Sequence, residues 1–282
     1  MLNKRILALT ALLLPFAAGA QTLDYTRAET VGDFGGRFAV AADYSLIPRQ
    51  LKLSAEQEFR LTDSFGTFKR SYTTLGLDYK LLPWLKIGAG YSLIANNSAS
   101  KGWGLRHRGF LTLTESWKFG RLKISLREKL QGTCDGNVNI YQEPETAIAL
   151  KTRLRFIYDL PHSHFSPFAS AEARFLLNGA NPGAFVYTTS TQLWSNPDPE
   201  YSDIYFNRLR FNLGTHYKLP DKNVLDFFVI ADLCYDLDID FNSKGVQKSV
   251  ENDDGDITAR KDYLFLQDSY FFGIGVKYTF KL

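Results

Sequence analysis

The chain has 282 residues, of which 15% are aromatic and 22% charged, and its formal net charge is +3 at pH 7. This charge is too small for a nucleic-acid-binding domain, which presents a strongly basic surface. Beyond the N-terminal segment, no apolar run reaches the roughly 20 residues that a membrane-spanning helix needs. The composition therefore argues against a helical membrane protein and against nucleic acid as a partner, and the aromatic content favours β-strands.

The N-terminal segment has the pattern of a cleaved secretory signal peptide. Lys4 and Arg5 precede an apolar run over residues 6–16, and an Ala-Gly-Ala triplet follows. The run is shorter than a spanning helix, and two small residues separated by one position are typical of a cleavage site. We therefore predict that residues 1–20 are removed and that residues 21–282 form a single domain. Because the removed segment carries two basic residues and no acid, the remaining formal net charge is +1.

Alternation of apolar and polar residues predicts β-strands along the rest of the chain. Side chains alternate across a strand, so apolar residues at every second position produce one apolar face and one polar face. The clear strands cover, in chain order, residues 38–46, 51–61, 75–80, 85–93, 105–119, 122–130, 150–158, 169–175, 208–218, 225–235 and 270–282. One apolar face per strand is what a barrel needs when lipid surrounds it.

The connections between these strands alternate in predicted length. Short turns are expected near residues 48, 83, 120, 161 and 220. Long polar loops are expected at 62–70, 95–104, 132–146, 177–203 and 239–268. Short periplasmic turns and long extracellular loops are typical of an outer-membrane β-barrel. The pattern therefore predicts both the fold and its orientation.

The C-terminal segment YFFGIGVKYTFKL has the most regular alternation in the chain. Its apolar set is Phe272, Ile274, Val276, Tyr278, Phe280 and Leu282, and small or basic residues fill the gaps. In a closed barrel this segment is the closing strand, with its apolar face toward lipid and no free edge in water. An aromatic terminal strand also resembles the signal that outer-membrane assembly machinery reads in Gram-negative bacteria.

The predicted fold class is all-β: an antiparallel transmembrane up-and-down β-barrel of about 12 strands, because bacterial single-chain barrels have even numbers of strands. The eleven clear strands require one more, for which residues 22–31 are the candidate. Ten strands are the alternative.

The segment from Leu105 to Gln131 carries short motifs in a fixed order. They are Arg106-His107-Arg108, Trp117-Lys118, Gly120-Arg121 and Ser125-Leu126-Arg127-Glu128, with similar pieces at 75–80, 84–91, 153–155 and 167–172. This pattern resembles a Bacteroidetes family of outer-membrane β-barrels catalogued as domain of unknown function 2490. The resemblance implies a barrel and an outer-membrane location but no particular activity. Phe38 departs from the family, which often carries Trp there.

Charged residues on the polar strand faces are expected to point into the barrel. A basic wall is predicted from Arg106, Arg108, Arg127, Lys129, Lys151, Arg153, Arg155, Arg174, Arg208 and Arg210. Inward acids are predicted at Glu56, Glu58, Asp78, Glu172, Asp232 and Asp236. Two interpretations remain open. Arginine forks bind phosphate and carboxylate, which favours a narrow pore for small anionic solutes. Ion pairs that plug a narrow barrel would instead indicate a structural or adhesive barrel whose extracellular loops bind outside partners.

An outer-membrane lipid hydrolase is the enzymatic alternative, and the sequence argues against it. That chemistry needs a serine nucleophile beside a histidine base. Gly109 stands where such enzymes carry the serine after His107, and His162, His164 and His216 fall in or beside predicted turns. Two histidines are too few for a metal site, and the aspartates around the last long loop lack calcium-loop spacing. We therefore predict no enzymatic activity, no metal and no cofactor.

Cys134 follows the sixth predicted strand and Cys234 lies on the tenth, and strands four apart would hold their Cα atoms beyond disulfide distance unless a loop folds over. Glu115 and Glu128 fall on the predicted lipid face. A bulge that redirects them, or a depth close to the membrane interface, would remove this conflict. We expect a monomer whose partners are outer-membrane lipid, lipopolysaccharide and the barrel-assembly machinery.

Overall fold

The chain forms a closed β-barrel in the computed structural model, which describes residues 27–98, 102–136, 144–180, 186–188, 193–195, 201–237, 250–251, 257–258 and 266–282. The segment predicted as a signal peptide, residues 1–20, lies outside the described residues. The barrel strands are β1 (Arg27–Ile47), β2 (Leu51–Thr62), β3 (Thr67–Leu82), β4 (Leu85–Ser98), β5 (Gly102–Phe119), β6 (Leu122–Asp135), β7 (Thr146–Tyr158), β8 (Phe165–Ala180), β11 (Tyr201–Lys218), β12 (Val224–Leu237) and β15 (Leu266–Lys281).

Four short strands lie in the connections that follow β8 and β12. They are β9 (Val186–Thr188), β10 (Leu193–Ser195), β13 (Val250–Glu251) and β14 (Ile257–Thr258), and they pair in the order β10-β9-β14-β13. A single 3-10 turn, Pro220–Lys222, is the helical element among the described residues. None of the described helical segments has the length and apolar character needed to cross a membrane.

The predicted number of strands and the fully antiparallel closure are both wrong for the described barrel. It has eleven strands, and β1 pairs with β15 in parallel, from Arg27 opposite Leu266 to Asp43 opposite Lys281. Residues 27–31 do not form a separate strand, because they continue into β1 as one strand of 21 residues. When successive strands alternate in direction and their number is odd, the first and last strands point the same way. The pair that closes the barrel is therefore parallel.

The two ends of the barrel differ in their connections. The short-turn end carries residues 48–50, 83–84, 120–121, 159–164 and 219–223, as expected. The other end, the long-loop end, joins β2 to β3 through residues 63–66, and its connections after β4, β6, β8 and β12 lie partly or wholly outside the described residues.

Two of the predicted long loops, 62–70 and 95–104, are wrong. The strands on both sides of each segment extend to leave only a few connecting residues. Asp63, Ser64 and Phe65 all adopt left-handed backbone conformations, with φ of 54°, 50° and 70°, and close the first of these hairpins. The polar residues of these segments thus lengthen strands rather than form loops.

The outer face of the barrel is apolar and exposed. Leu111 and Leu213 are 60% and 62% exposed on this face. In β15 the predicted apolar set from Phe272 to Phe280 faces outward, and Leu282 follows the strand with 70% exposure. The alternation read from the sequence therefore corresponds to the two faces of the barrel wall.

Glu115 and Glu128 lie on this outer face. The pairing of β5 with β4 and β6, and of β6 with β7, is continuous, so a bulge does not redirect either side chain. Glu128 Oε2 accepts a hydrogen bond from Thr152 Oγ1 at 2.6 Å, and its Oε1 is buried without a partner among the described residues. Of the two explanations considered for these acids, the continuous pairing excludes a bulge and leaves a depth close to the membrane interface.

The two cysteines are not bonded to each other. Cys134 lies on β6 and contacts the hydroxyl of Thr146, whereas Cys234 lies on β12 and accepts a hydrogen bond from Arg208 Nε at 3.0 Å. The closed order places three strands, β7, β8 and β11, between them.

Candidate functional site: the charged barrel lumen

The lumen contains a cavity of about 820 Å³ that begins at the short-turn end. Lys52, Lys218 and Lys281 line it near that end, and its lining reaches Tyr72 and Arg210 at mid-height. Nearer the long-loop end the inward side chains are nearly inaccessible: Ile94, Ala149 and Gln131 are 2%, 1% and 3% exposed. Among the described residues, the half of the lumen near the short-turn end is therefore a polar cavity, and packed side chains fill the half near the long-loop end.

The structure places the predicted basic wall on the inner face at two levels. Arg108, Arg127, Lys129, Lys151, Arg153, Arg155 and Arg210 line the cavity. Arg106, Arg174 and Arg208 lie nearer the long-loop end, where Arg106 pairs with Asp135 and Arg208 Nε lies 3.4 Å from Asp232 Oδ1. Of the predicted inward acids, Glu56, Glu58, Asp78 and Glu172 line the cavity. The side chain of Asp236 lies outside the described residues.

Two acids hold a network of arginines that we name the charge belt: Arg37, Arg127, Glu172, Arg208, Arg210 and Asp232. Asp232 is 4% exposed and serves three arginines. Its Oδ2 accepts hydrogen bonds from Arg37 Nη2 at 3.0 Å and from Arg210 Nη2 at 2.6 Å, beside the longer contact to Arg208. Arg210 Nη1 also lies 3.8 Å from Glu172 Oε1, and Glu172 Oε2 accepts from Arg127 Nη2 at 2.9 Å. The belt links β1, β12, β11, β8 and β6.

Elsewhere on the inner wall, the acids are neutralised by neighbouring cations. Glu58 pairs with Arg60 at 2.5 Å. Asp78 Oδ2 lies 3.0 Å from Lys86 Nζ and 3.8 Å from Lys52 Nζ. Glu56 pairs with Lys277, and Asp43 pairs with Lys52 and Lys281. These pairs leave little net charge on β2, β3 and β15 near the short-turn end.

The cations of β6 and β7 differ, because several of them have no acidic partner. Lys123, Lys129, Lys151, Arg153 and Arg155 form no ion pair with any carboxylate of the described residues. Lys129 Nζ lies 3.5 Å from the ring centre of Phe110, and the Arg155 guanidinium lies 4.2 Å from that of Phe168. The buried Nε of Arg153 has no hydrogen-bond acceptor among the described residues. The β6–β7 wall is therefore a concentration of positive charge facing the cavity.

Several lumen residues escaped the sequence analysis. Arg37 and Asp43 are buried on the inner face of β1, and alternation with Phe38 and Val40 could have placed them there. His216, expected beside a turn, faces the lumen: Arg155 Nη2 lies 2.9 Å from its Nε2, and Asp226 contacts its Nδ1. That setting could not be read from a single strand, because its partners come from β7 and β12.

His107, the histidine considered above for a lipid hydrolase, is exposed on the outer face. Its Nδ1 contacts the hydroxyl of Tyr91, and Gly109 follows on the same face. This arrangement lacks a serine nucleophile next to the imidazole. Among the described residues, no group of three or more His, Cys, Asp or Glu side chains is placed to hold a metal ion.

Fold and site together define a closed β-barrel with an apolar exterior and a charged, partly filled lumen. The chain belongs to a family described as a protein of unknown function (DUF2490), whose family model matches residues 38–237. No curated protein matches the chain. Among solved structures it is similar to a NanC porin, with 10% sequence identity and a TM-score of 0.40 over 72% of this chain and 87% of that chain. That similarity is too distant to bear on function.

Proposed function

We propose that this protein is an outer-membrane β-barrel of a porin-like kind, without enzymatic activity, whose narrow lumen admits small anionic solutes. The exposed apolar outer face of a closed barrel supports the membrane location, since only closed barrels and helices satisfy all backbone groups in lipid. The N-terminal signal pattern supports export. The short-turn end then faces the periplasm, and the long-loop end faces outward.

The positive charge of the β6–β7 wall is the observation that supports small anions as the solutes. Five cations that lack ion pairs with described carboxylates stand on two adjacent strands around a cavity of about 820 Å³. Buried charge of one sign is costly unless a counter-charge arrives. An entering anion supplies that counter-charge, and arginine and lysine rings favour anions in pores.

The second candidate is a structural barrel with a plugged lumen, whose long loops bind outside partners. The charge belt and the filled half of the lumen favour it, because ion pairs across a narrow barrel stabilise it and block passage. The two candidates differ in whether the purified barrel conducts ions.

Replacing Lys151 and Arg153 together by glutamine is expected to lower the anion-to-cation permeability ratio roughly twofold or more, because pore-lining positive charge concentrates anions. The measurement is the reversal potential of the purified barrel in a planar bilayer under a salt gradient. Polarity and much of the side-chain volume are kept, so the fold should persist.

The matched control for this test exchanges the two side chains as Lys151→Arg with Arg153→Lys, which preserves both charges and should leave the reversal potential unchanged. A folded wild-type barrel that conducts no ions in the bilayer would contradict the pore and favour the structural candidate.

The outer-face acids provide a test of the membrane location. Replacing Glu115 and Glu128 by leucine is expected to raise the free energy of unfolding from lipid by about 1–2 kcal/mol per residue, because charged groups on the lipid face of a barrel are destabilising. Thr152→Val is the control with the opposite sign, since it removes the donor to Glu128 Oε2. Urea unfolding in lipid vesicles measures both. Destabilisation by the leucines would contradict a lipid-facing position.

A further inference from the structure

A row of five charged side chains crosses the inner wall at one level. Strand register places Arg127 opposite Arg153, Arg153 opposite Glu172, Glu172 opposite Arg210, and Arg210 opposite Asp232. Residues directly opposite on one face are close enough to interact. The row therefore sets two carboxylates among three guanidinium groups.

The two carboxylates of the row differ in their access to the cavity. Glu172 lines the cavity, whereas Asp232 is absent from the lining and is held by Arg37, Arg208 and Arg210. Glu172 has close contacts on its two oxygens from Arg127 and Arg210 alone, at 2.9 Å and 3.8 Å. Asp232 is thus an enclosed structural partner, and Glu172, although only 6% exposed, is the acid of this row that lines the cavity.

We propose that the Glu172 carboxylate occupies an oxyanion-binding site and acts as an internal ligand that an anionic solute displaces. Arg127 from β6 and Arg210 from β11 approach different oxygens of this one carboxylate, and Arg153, which forms no ion pair with a described acid, stands directly opposite on β7. Guanidinium groups that converge in this way bind carboxylate and phosphate oxygens.

The site takes a small solute that carries one carboxylate or phosphate group. The inference rests on the proposed function, because the solute has to reach the cavity. The exchange leaves the charge balance of the row unchanged. When Glu172 turns away, three arginines remain for the incoming oxyanion, and Asp232 continues to hold Arg210. The solute therefore replaces one negative charge by another without leaving an arginine unpaired.

Glu172→Ala removes the internal ligand and leaves space for a free anion. We expect the melting temperature of the purified Glu172→Ala barrel to rise with inorganic phosphate in a saturable way, compared with chloride at equal ionic strength. Wild type should need a phosphate concentration roughly tenfold higher or more, because its own carboxylate competes, and tenfold corresponds to about 1.4 kcal/mol. Glu172→Gln, which keeps the volume, provides the same comparison if the alanine variant does not fold.

Glu58→Gln is the matched control, since Glu58 also lines the cavity and pairs with Arg60, on the wall opposite Glu172. It adds the same charge to the lumen and should not show the tenfold change. Equal phosphate dependence in wild type, the Glu172 variants and Glu58→Gln would overturn the inference. A Glu172 variant that binds phosphate in a barrel that does not conduct would support the inference and remove the pore. A conducting, anion-selective barrel whose Glu172 variants gain no phosphate affinity would support the pore and overturn the inference.

Discussion

Alanine at both Phe280 and Leu282 is expected to abolish accumulation of the barrel in the outer membrane. Phe280 is 41% exposed on the outer face and packs edge-on against Tyr278 at 4.5 Å between ring centres. It also stands opposite Ala42 in the parallel pair that closes the barrel, and the backbone N–H of Leu282 donates to Asp43 at 2.9 Å. Burial of each side chain in lipid is worth roughly 1.5–3 kcal/mol, and the assembly signal predicted for this strand would be lost as well.

The measurement for this variant is membrane fractionation combined with heat-modifiable migration on gels. The matched control is Phe211→Ala, which removes an outer-face phenylalanine of similar exposure (45%) from β11 and leaves the closing strand intact. The control should reach the outer membrane in nearly normal amounts. Normal yield of the Phe280 and Leu282 variant would show that the outer-face side chains of β15 are needed neither to close the barrel nor to direct it to the outer membrane.

Asp232→Ala is expected to lower the free energy of unfolding by about 3–5 kcal/mol, the usual cost of removing one partner from a buried ion pair. Asp232 is 4% exposed and its carboxylate accepts hydrogen bonds from Arg37 and Arg210, so its loss leaves Arg37 without this counter-charge and Arg210 with only the 3.8 Å contact to Glu172 among the described residues. Urea unfolding of the refolded barrel, followed by tryptophan fluorescence, measures the change.

The control for Asp232 is Asp159→Ala at the short-turn end. Hydrogen bonds from Lys218 and Ser166 lower the pKa of Asp159, but its side chain and that of Lys218 are 45% and 52% exposed. Surface pairs of this kind contribute about 0–1 kcal/mol. Equal losses for the two variants would mean that the charge belt does not stabilise the barrel.

Much of the wall could be predicted from the sequence, because the two faces of a strand follow from a period of two residues. Alternation alone assigned Glu56, Arg153 and Glu172 to the lumen and Phe272 to the outside, and the structure places all four as expected. The same alternation put Glu115 and Glu128 on the outer face. A bulge, one of the two explanations considered for them, is absent from the pairing of these strands, so the outward phase given by the alternation holds.

The loop lengths show where local polarity misleads. Residues 62–70 are polar enough to resemble a loop, yet five of the nine lie within β2 and β3. Polarity marks the absence of a lipid contact, not the absence of a ladder, because backbone hydrogen bonds do not depend on side-chain character. Strand ends beyond the apolar band are therefore invisible to a hydropathy pattern.

The sequence by itself determined the all-β class, the two faces of the strands with clear alternation and a basic wall distributed over several strands. That the cations without acidic partners gather on β6 and β7 follows only from the tertiary structure. Only the tertiary structure decided the parity of the barrel and the partners across its lumen. Closure brings β1 beside β15, and Arg37 reaches Asp232, 195 positions away, only because β12 comes next in the ring. Alternation is a local property of the backbone, whereas the number of strands that close a ring, and the charges that then meet across it, depend on the whole chain at once.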